Sequence, residues 1–115
     1  MRFGHIELFV EDPQRAQHFF TQVLGFELVA AQGSDFVWVK MGEVELLLRR
    51  GPAHLVASSY PSASSAIVLY TDDLDQTAAA LRERGLRFNG TDGSDRCLTF
   101  TDPDGHWFQL ANPNE

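Results

Sequence analysis

The chain carries the same pattern twice. Residues 5–26 and residues 66–86 each consist of an alternating apolar strand, an acidic turn, an amphipathic helix and a glycine. Each unit is followed by short strands and a tight glycine turn, at 41–42 in the first half and at 102–105 in the second. Units that repeat in this way bury one face each and must pair. The sequence therefore predicts two similar modules around a shared cavity.

Length and charge limit what such a chain can do. The 115 residues predict a single domain over 1–115, with module one at about 1–50, a linker at 51–65 and module two at about 66–113. Nine Lys and Arg residues against 16 Asp and Glu residues give a net charge of −7, which argues against a nucleic-acid partner. No segment resembles a signal peptide or a membrane span, so we expect a cytoplasmic protein with no membrane partner. The single cysteine, Cys97, excludes an internal disulfide.

Both helices are marked by their ends and by an apolar stripe. Asp12 followed by Pro13 predicts the start of the first helix, and Asp73 predicts the start of the second. Gly25 and Gly85 predict where the two helices end. The positions predicted to be buried are Ala16, Phe19, Phe20, Val23 and Leu24 in the first helix and Ala78 and Leu81 in the second.

Alternation along the strands predicts which side chains face away from the helices. Strands are predicted at 3–10, 27–31, 35–40 and 43–49 in the first module and at 66–70, 87–89, 96–101 and 107–111 in the second. The predicted core positions of the later strands are Val44, Leu46, Leu48, Ile67, Leu69, Phe108 and Leu110. The opposite face is predicted to hold His5, Glu7, Phe9, Trp38, Glu45, Leu47, Arg49, Ala66, Val68, Tyr70, Trp107, Gln109 and Ala111.

Three histidines lie outside this face. His18 is interpreted as a solvated side chain on the first helix, and His106 is predicted to point away from Gln109. His54 lies in the Gly-, Pro- and Ser-rich linker together with Tyr60. Those two side chains either cover the cavity or belong to a solvated loop.

The two βαβββ modules, the histidine near the start of the first strand and the Asp-Pro-Asp-Gly turn before the last strand together resemble the vicinal-oxygen-chelate superfamily. That superfamily comprises glyoxalases, bleomycin-resistance proteins and extradiol dioxygenases. The resemblance extends from His5 to about Pro113. It implies an α+β fold in which two βαβββ modules form a cupped mixed β-sheet with helices on its outer face. It also implies a homodimer, in which modules pair either within one chain or across two.

Metal-dependent members of the superfamily take ligands from the first and last strands of each module. The resemblance places His5, Glu45, Ala66 and Gln109 at those positions. Imidazole and carboxylate groups suit nickel, manganese, zinc or iron, whereas Ala66 offers no ligand and Gln109 offers only a neutral amide. Glu7 lies two residues from His5 on the same strand face, so His5, Glu7 and Glu45 form an alternative metal set. The other reading is a cup without metal, in which His5 hydrogen-bonds a carboxylate.

Two functions follow from the resemblance. The first is a binding or antibiotic-resistance protein without a cofactor, which sequesters an aromatic small molecule, cationic or neutral, by enclosing it. Its predicted ligand-binding residues are His5, Glu7, Phe9, Trp38, Glu45, Tyr70, Trp107 and Gln109. The second is a divalent-metal lyase or isomerase of the glyoxalase type, with His5, Glu45 and Gln109 as ligands and Glu7 or Glu45 as the base. The sequence leaves open whether the protein is an enzyme.

Overall fold

The computed structural model describes residues 1–52 and 55–115, which belong to two compact units divided after residue 54. Each unit combines one helical crossover with one four-stranded mixed β-sheet, which confirms the predicted α+β class with two βαβββ modules. Residues 55–65 of the predicted linker belong to the second unit. Within the described residues, neither helix has the length and hydropathy needed to cross a bilayer.

The first unit contains strands β1 (Ile6–Val10), β2 (Glu27–Gln32), β3 (Phe36–Met41) and β4 (Val44–Arg50), with helix α1 (Pro13–His18) between β1 and β2. The second contains β5 (Ile67–Tyr70), β6 (Thr91–Asp92), β7 (Ser94–Thr101) and β8 (Trp107–Ala111), with helix α2 (Leu74–Glu83) and a 3₁₀ turn at Tyr60–Ser62. The strand orders β1-β4-β3-β2 and β5-β8-β7-β6 are equivalent. In both, the first strand pairs parallel with the last and the other pairs are antiparallel.

The predicted caps are confirmed. The Asp12 side chain accepts hydrogen bonds from two backbone N–H groups of the first helical turn, at 3.0 and 3.4 Å. Asp73 accepts one from Gln76 at 3.0 Å. Gly25 and Gly85 follow the helices with φ of 89° and 101°, a conformation that glycine adopts without steric cost.

The first helix differs from the single α-helix that the sequence predicts. After His18 it widens into a π-helical turn over Phe19–Val23, closed by a hydrogen bond from Leu24 N to Phe19 O at 3.0 Å. The Thr21 hydroxyl donates to Gln17 O at 2.7 Å and so occupies a carbonyl of the preceding turn. Such bonds from a threonine to the carbonyl four residues earlier loosen a helix.

The predicted strand at 87–89 does not form. Asn89 N donates to Thr99 O at 2.7 Å and Thr99 N donates to Gly90 O at 3.0 Å, but Gly90 has a φ of 96°, which lies outside the strand conformation. Regular pairing begins only at the two-residue β6 and contains an irregularity there.

Four predictions of burial need correction. Leu47 is only 5% exposed although alternation directs it away from the core, because it lies on the central strand β4 between Glu7 and Trp38 of the neighbouring strands. Val44 is 51% exposed because it lies at the end of the β3–β4 hairpin. Trp107 is 7% exposed, and Ala111 is also buried, although both lie on the outward face of β8.

The Asp-Pro-Asp-Gly turn is held by a buried carboxylate. Asp102 Oδ1 accepts hydrogen bonds from the backbone N–H groups of Asp104 and His106 at 3.0 and 2.9 Å, and Asp102 Oδ2 lies 2.7 Å from His106 Nδ1. Burial alone would lower the pKa of His106, but the hydrogen bond and charge of Asp102, with the charge of Asp104, outweigh it and raise the pKa above 6.5.

This shift predicts a pH-dependent stability. Because the folded-state pKa of His106 is raised, its pair with Asp102 contributes fully below about pH 6.5, and the contribution is lost as the pH rises through the folded-state pKa. We expect His106→Gln to reduce the free energy of unfolding by roughly 1–3 kcal/mol below pH 6.5 and by less at high pH. Urea unfolding across this pH range measures both values.

His18→Gln serves as the matched control, because it removes an exposed histidine of the first unit. We expect that variant to retain the wild-type pH dependence. An identical pH dependence in wild type and His106→Gln would contradict the assignment.

Candidate functional site

In the first unit, the sheet face opposite the helix carries a cluster of charged side chains. Arg49 Nη1 donates to Glu7 Oε1 at 3.1 Å, and His5 Nε2 lies 3.0 Å from Glu7 Oε2. The parallel register of β1 and β4 places Glu7 opposite Leu47 and Phe9 opposite Arg49, which brings these side chains to one face. Glu7 is therefore held from both sides.

Aromatic rings surround the Arg49 guanidinium. Its central carbon lies 5.4 Å from the ring centroid of Phe9 and 5.2 Å from that of Phe36, within the range of cation–π attraction. Arg49 Nε is buried and has no hydrogen-bond partner among the described residues. Gly51 lets Phe9 approach, because an added Cβ would lie 2.8 Å from the Phe9 ring. The aromatic rings therefore fix the position of the guanidinium.

Trp38 extends this aromatic surface. Its ring meets that of His5 edge to face, with centroids 4.6 Å apart, and it lies opposite Leu47 in the sheet. Phe9 remains 46% exposed. The structure thus brings together four of the predicted site residues, His5, Glu7, Phe9 and Trp38, around Arg49. We call these five residues with Phe36 the aromatic face.

The environment of Glu7 makes it a poor base. The hydrogen bond from Arg49 and then that from His5 lower the pKa of Glu7 below 4.5, even though partial desolvation opposes them. A general base for neutral pH needs a raised carboxylate pKa. The contacts with Arg49 and His5 therefore keep the Glu7 carboxylate ionised and hydrogen-bonded.

The donor set does not suit a metal ion. Across residues 1–52 and 55–115, no three His, Cys, Asp or Glu side chains come together in a way that could hold one. Glu45 is exposed on the face of β4 that also carries Leu47, and it adds no third ligand to His5 and Glu7.

The pairing of the first strand with the last strand in each unit also changes which residues of the two units are equivalent. Ile6 pairs with Leu46 in the first unit, as Ile67 pairs with Phe108 in the second. The equivalent of Gln109 is therefore Leu47 rather than Glu45, and an aliphatic side chain cannot ligate a metal.

In the second unit, the corresponding face carries no ion pair between its first and last strands. Gln109 lies opposite Val68 on β5 and Thr99 on β7, and its amide Nε2 donates to Asp92 at 3.2 Å. Tyr70 is 71% exposed on β5, at the position paired with Ala111. The three predicted site residues of this unit thus share one face, with Trp107 two residues before Gln109.

A segment of the predicted linker covers Trp107. The Trp107 Nε1–H group donates to Ala57 O at 2.9 Å, and the Tyr60 ring lies perpendicular to the indole at 6.1 Å. An added Cβ at Gly105 would overlap Val56, so the last turn also packs closely against this segment. Of the two interpretations of Tyr60, the structure supports the covering role, whereas His54 lies outside the described residues.

This cover leaves a pocket of about 510 Å³ beside Trp107, which we call the polar pocket. Its lining consists of Ser58, Ser59, Tyr60, Pro61, Asn89, Thr91, Thr99, Thr101 and Trp107. The volume is within the usual range for small-molecule sites. Only Trp107 among these residues was predicted for the site.

Some residues of the aromatic face and the polar pocket were not predicted as site residues. They differ in how far the sequence alone could have indicated them. Alternation places Arg49 on the predicted face, so its proximity to Glu7 could have been inferred once β1 and β4 were paired in parallel. The threonines of β7 alternate in the same way, at 99 and 101. Nothing in the sequence indicates that residues 58–61 lie beside them.

The Glu7–Arg49 pair predicts a change in titration. In Arg49→Met the pKa of Glu7 should rise toward 4.5, because the largest cause of its depression is removed. Since a depressed carboxylate pKa stabilises the fold above about pH 4.5 and this contribution is lost as the pH falls, the variant should also lose less stability in acid than wild type. Carboxyl ¹³C NMR measures the pKa of Glu7 directly.

Arg50→Met is the matched control. Arg50 pairs with Asp35 at 2.9 Å and donates to Glu11 O at 2.7 Å, without contact to Glu7. Its loss should leave the Glu7 titration unchanged. An unshifted Glu7 pKa in Arg49→Met would show that the pair does not control this carboxylate.

Comparison with known proteins is consistent with this geometry. TnmS3, an antibiotic-binding protein from Streptomyces sp. CB03234, is 28% identical, with a TM-score of 0.72 over 98% of each chain. The uncharacterized protein YetH of Bacillus subtilis (strain 168) is 28% identical over 116 residues, covering 95% of this chain and 96% of YetH. A lactoylglutathione lyase from Agrobacterium tumefaciens has a TM-score of 0.72 at 18% identity, covering 97% of this chain and 93% of that one, which shows a shared fold alone.

The family assignment depends on the length of the match. Residues 2–110 match the family model described as the Glyoxalase/Bleomycin resistance protein/Dioxygenase superfamily, and this range includes both sheets and both helices nearly in full. The chain therefore belongs to the glyoxalase/bleomycin resistance protein/dioxygenase superfamily.

Proposed function

We propose that this protein is a small-molecule-binding protein that sequesters an aromatic ligand without a metal ion and without making or breaking a bond. The observation that carries the proposal is the aromatic face, on which His5 and Arg49 already occupy Glu7. The groups that catalysis would need are thus engaged with one another, while the ring of Phe9 remains exposed.

Similarity supports the same function. The antibiotic-binding protein TnmS3 covers 98% of this chain and is 28% identical to it. Aromatic walls with a few polar groups are what a flat, apolar ligand requires. In cells, such binding would confer resistance by lowering the free concentration of the compound.

Two electrostatic features of the protein favour opposite charges on the ligand. The net charge of −7 and the exposed Glu45 favour a cation. Arg49 lies at the centre of the aromatic face and opposes one. We propose that aromatic stacking provides most of the affinity and that charge changes it by a smaller factor.

We also propose that the protein acts as a cytoplasmic homodimer. Val68 and Tyr70 are large, exposed and located on the edge strand β5 of the second sheet, where a second chain could cover them. Sedimentation equilibrium would decide between monomer and dimer.

A matched pair of dyes tests the binding function. Proflavine is a flat aromatic cation, and acridone is a neutral compound of similar shape. We expect both to quench tryptophan fluorescence and to raise the melting temperature, with affinities that differ less than tenfold. Phe9→Ala should weaken both by about tenfold, as expected for the loss of one aromatic contact.

Leu28→Ala is the matched control for Phe9→Ala. Leu28 is 45% exposed on the same sheet, but it pairs with Val39 and so lies on the opposite face. Its loss should leave both affinities unchanged. The binding function fails if neither dye quenches the fluorescence or shifts the melting temperature.

The lyase alternative has its own test. A specific metal site would make the melting temperature rise with occupancy by nickel, manganese or zinc, and His5→Ala would abolish that rise. We expect no such rise, because His5 and Glu7 bind each other.

A further inference from the structure

The polar pocket differs from the aromatic face in its charge. Among the described residues no charged side chain lines it, although the chain has 16 acidic and 9 basic residues. A charged ligand group would find no counter-charge among the lining residues of this pocket. The lining thus favours a neutral ligand.

The pocket also has unused hydrogen-bonding groups. The side chains of Ser58, Asn89, Thr91 and Thr101 line it and form no hydrogen bond to another described residue. Thr99 differs, because its hydroxyl donates to Asn89 O at 2.9 Å and so links strand β7 to the segment that contains Asn89. Four neutral polar groups are therefore available to a ligand.

The type of these groups restricts the ligand further. Hydroxyl and amide groups both donate and accept hydrogen bonds, so they match a ligand whose own groups do both. Trp107 and Tyr60 add apolar walls, and the indole N–H of Trp107 is already satisfied by Ala57 O. A hydroxylated ring with apolar C–H faces fits both kinds of wall.

We propose that the polar pocket binds a neutral, hydroxyl-bearing ring, the sugar of a glycosylated aromatic compound. This inference rests on the proposed function, because it specifies the class of aromatic ligand that the protein sequesters. Within the pocket, the hydroxyl and amide side chains meet the sugar hydroxyl groups, and the Trp107 ring packs against the C–H face of the sugar.

The test compares two probes that differ by one glucose. 4-Methylumbelliferone and its β-D-glucoside are titrated into the ¹⁵N-labelled full chain and followed by NMR. We expect the glucoside to shift the Trp107 indole and Thr101 amide signals and to bind at least about fivefold more tightly, as a few neutral hydrogen bonds would allow. Equal affinities, or shifts that avoid both signals, would overturn the proposal.

Variants of the lining residues test whether the higher affinity for the glucoside comes from the polar pocket. Thr101→Val keeps the shape of the side chain and removes its hydroxyl, so the glucoside should bind about three- to tenfold more weakly while 4-methylumbelliferone is unaffected. Thr21→Val in the first unit is the matched control and should bind the glucoside as wild type does. If Thr101→Val fails to fold, as thermal melting would show, Thr91→Val replaces it.

The two proposals fail in different ways. If proflavine or acridone binds but glucose adds no affinity, the sugar-binding role is wrong and the binding function stands. If none of the four compounds binds, both are wrong.

Discussion

The parallel pairing of the first strand with the last strand in each unit determines which side chains share a face. Two parallel strands must be joined by a crossover connection. In each unit this crossover consists of one helix and the two strands that follow it. In the first unit this register joins Glu7 to Arg49, which is 42 residues away. Both the ion pair and its aromatic surroundings depend on that register, because a shift by one residue would turn Glu7 or Arg49 toward the helix.

The energetics of the Glu7–Arg49 pair indicate that its role is to position groups. Both side chains are more than one-third exposed, so solvent screens the pair and its net contribution to stability is small. The two ring contacts of Arg49 add roughly 0.5–1 kcal/mol each at exposed sites. Together these contacts fix where the guanidinium and the carboxylate lie and leave neither free for proton transfer. Such fixed positions suit the binding surface that we propose.

Local patterns predicted much of this structure, and non-local contacts account for the remainder. Alternation correctly placed Glu7 and Phe9 on the face opposite the helix, because the period of a strand is independent of its surroundings. It could not predict the burial of Trp107, since that burial comes from residues 56–60 of a segment without a periodic pattern. The equivalence of Glu45 and Gln109 was wrong for a similar reason, because equivalent positions are defined by register rather than by spacing.

Equivalent positions of the two units carry different side chains, so the function of one unit cannot be inferred from the other by symmetry. The register makes Val68 the equivalent of Glu7 and Ala111 the equivalent of Arg49. The second unit therefore retains the backbone of the first and lacks its ion pair, which leaves a face that carries neutral hydroxyl groups and an indole. A metal ion needs imidazole, carboxylate or thiolate ligands, and the side chains of Val68 and Ala111 offer none of these. The loss of symmetry at these positions agrees with the binding function that we propose.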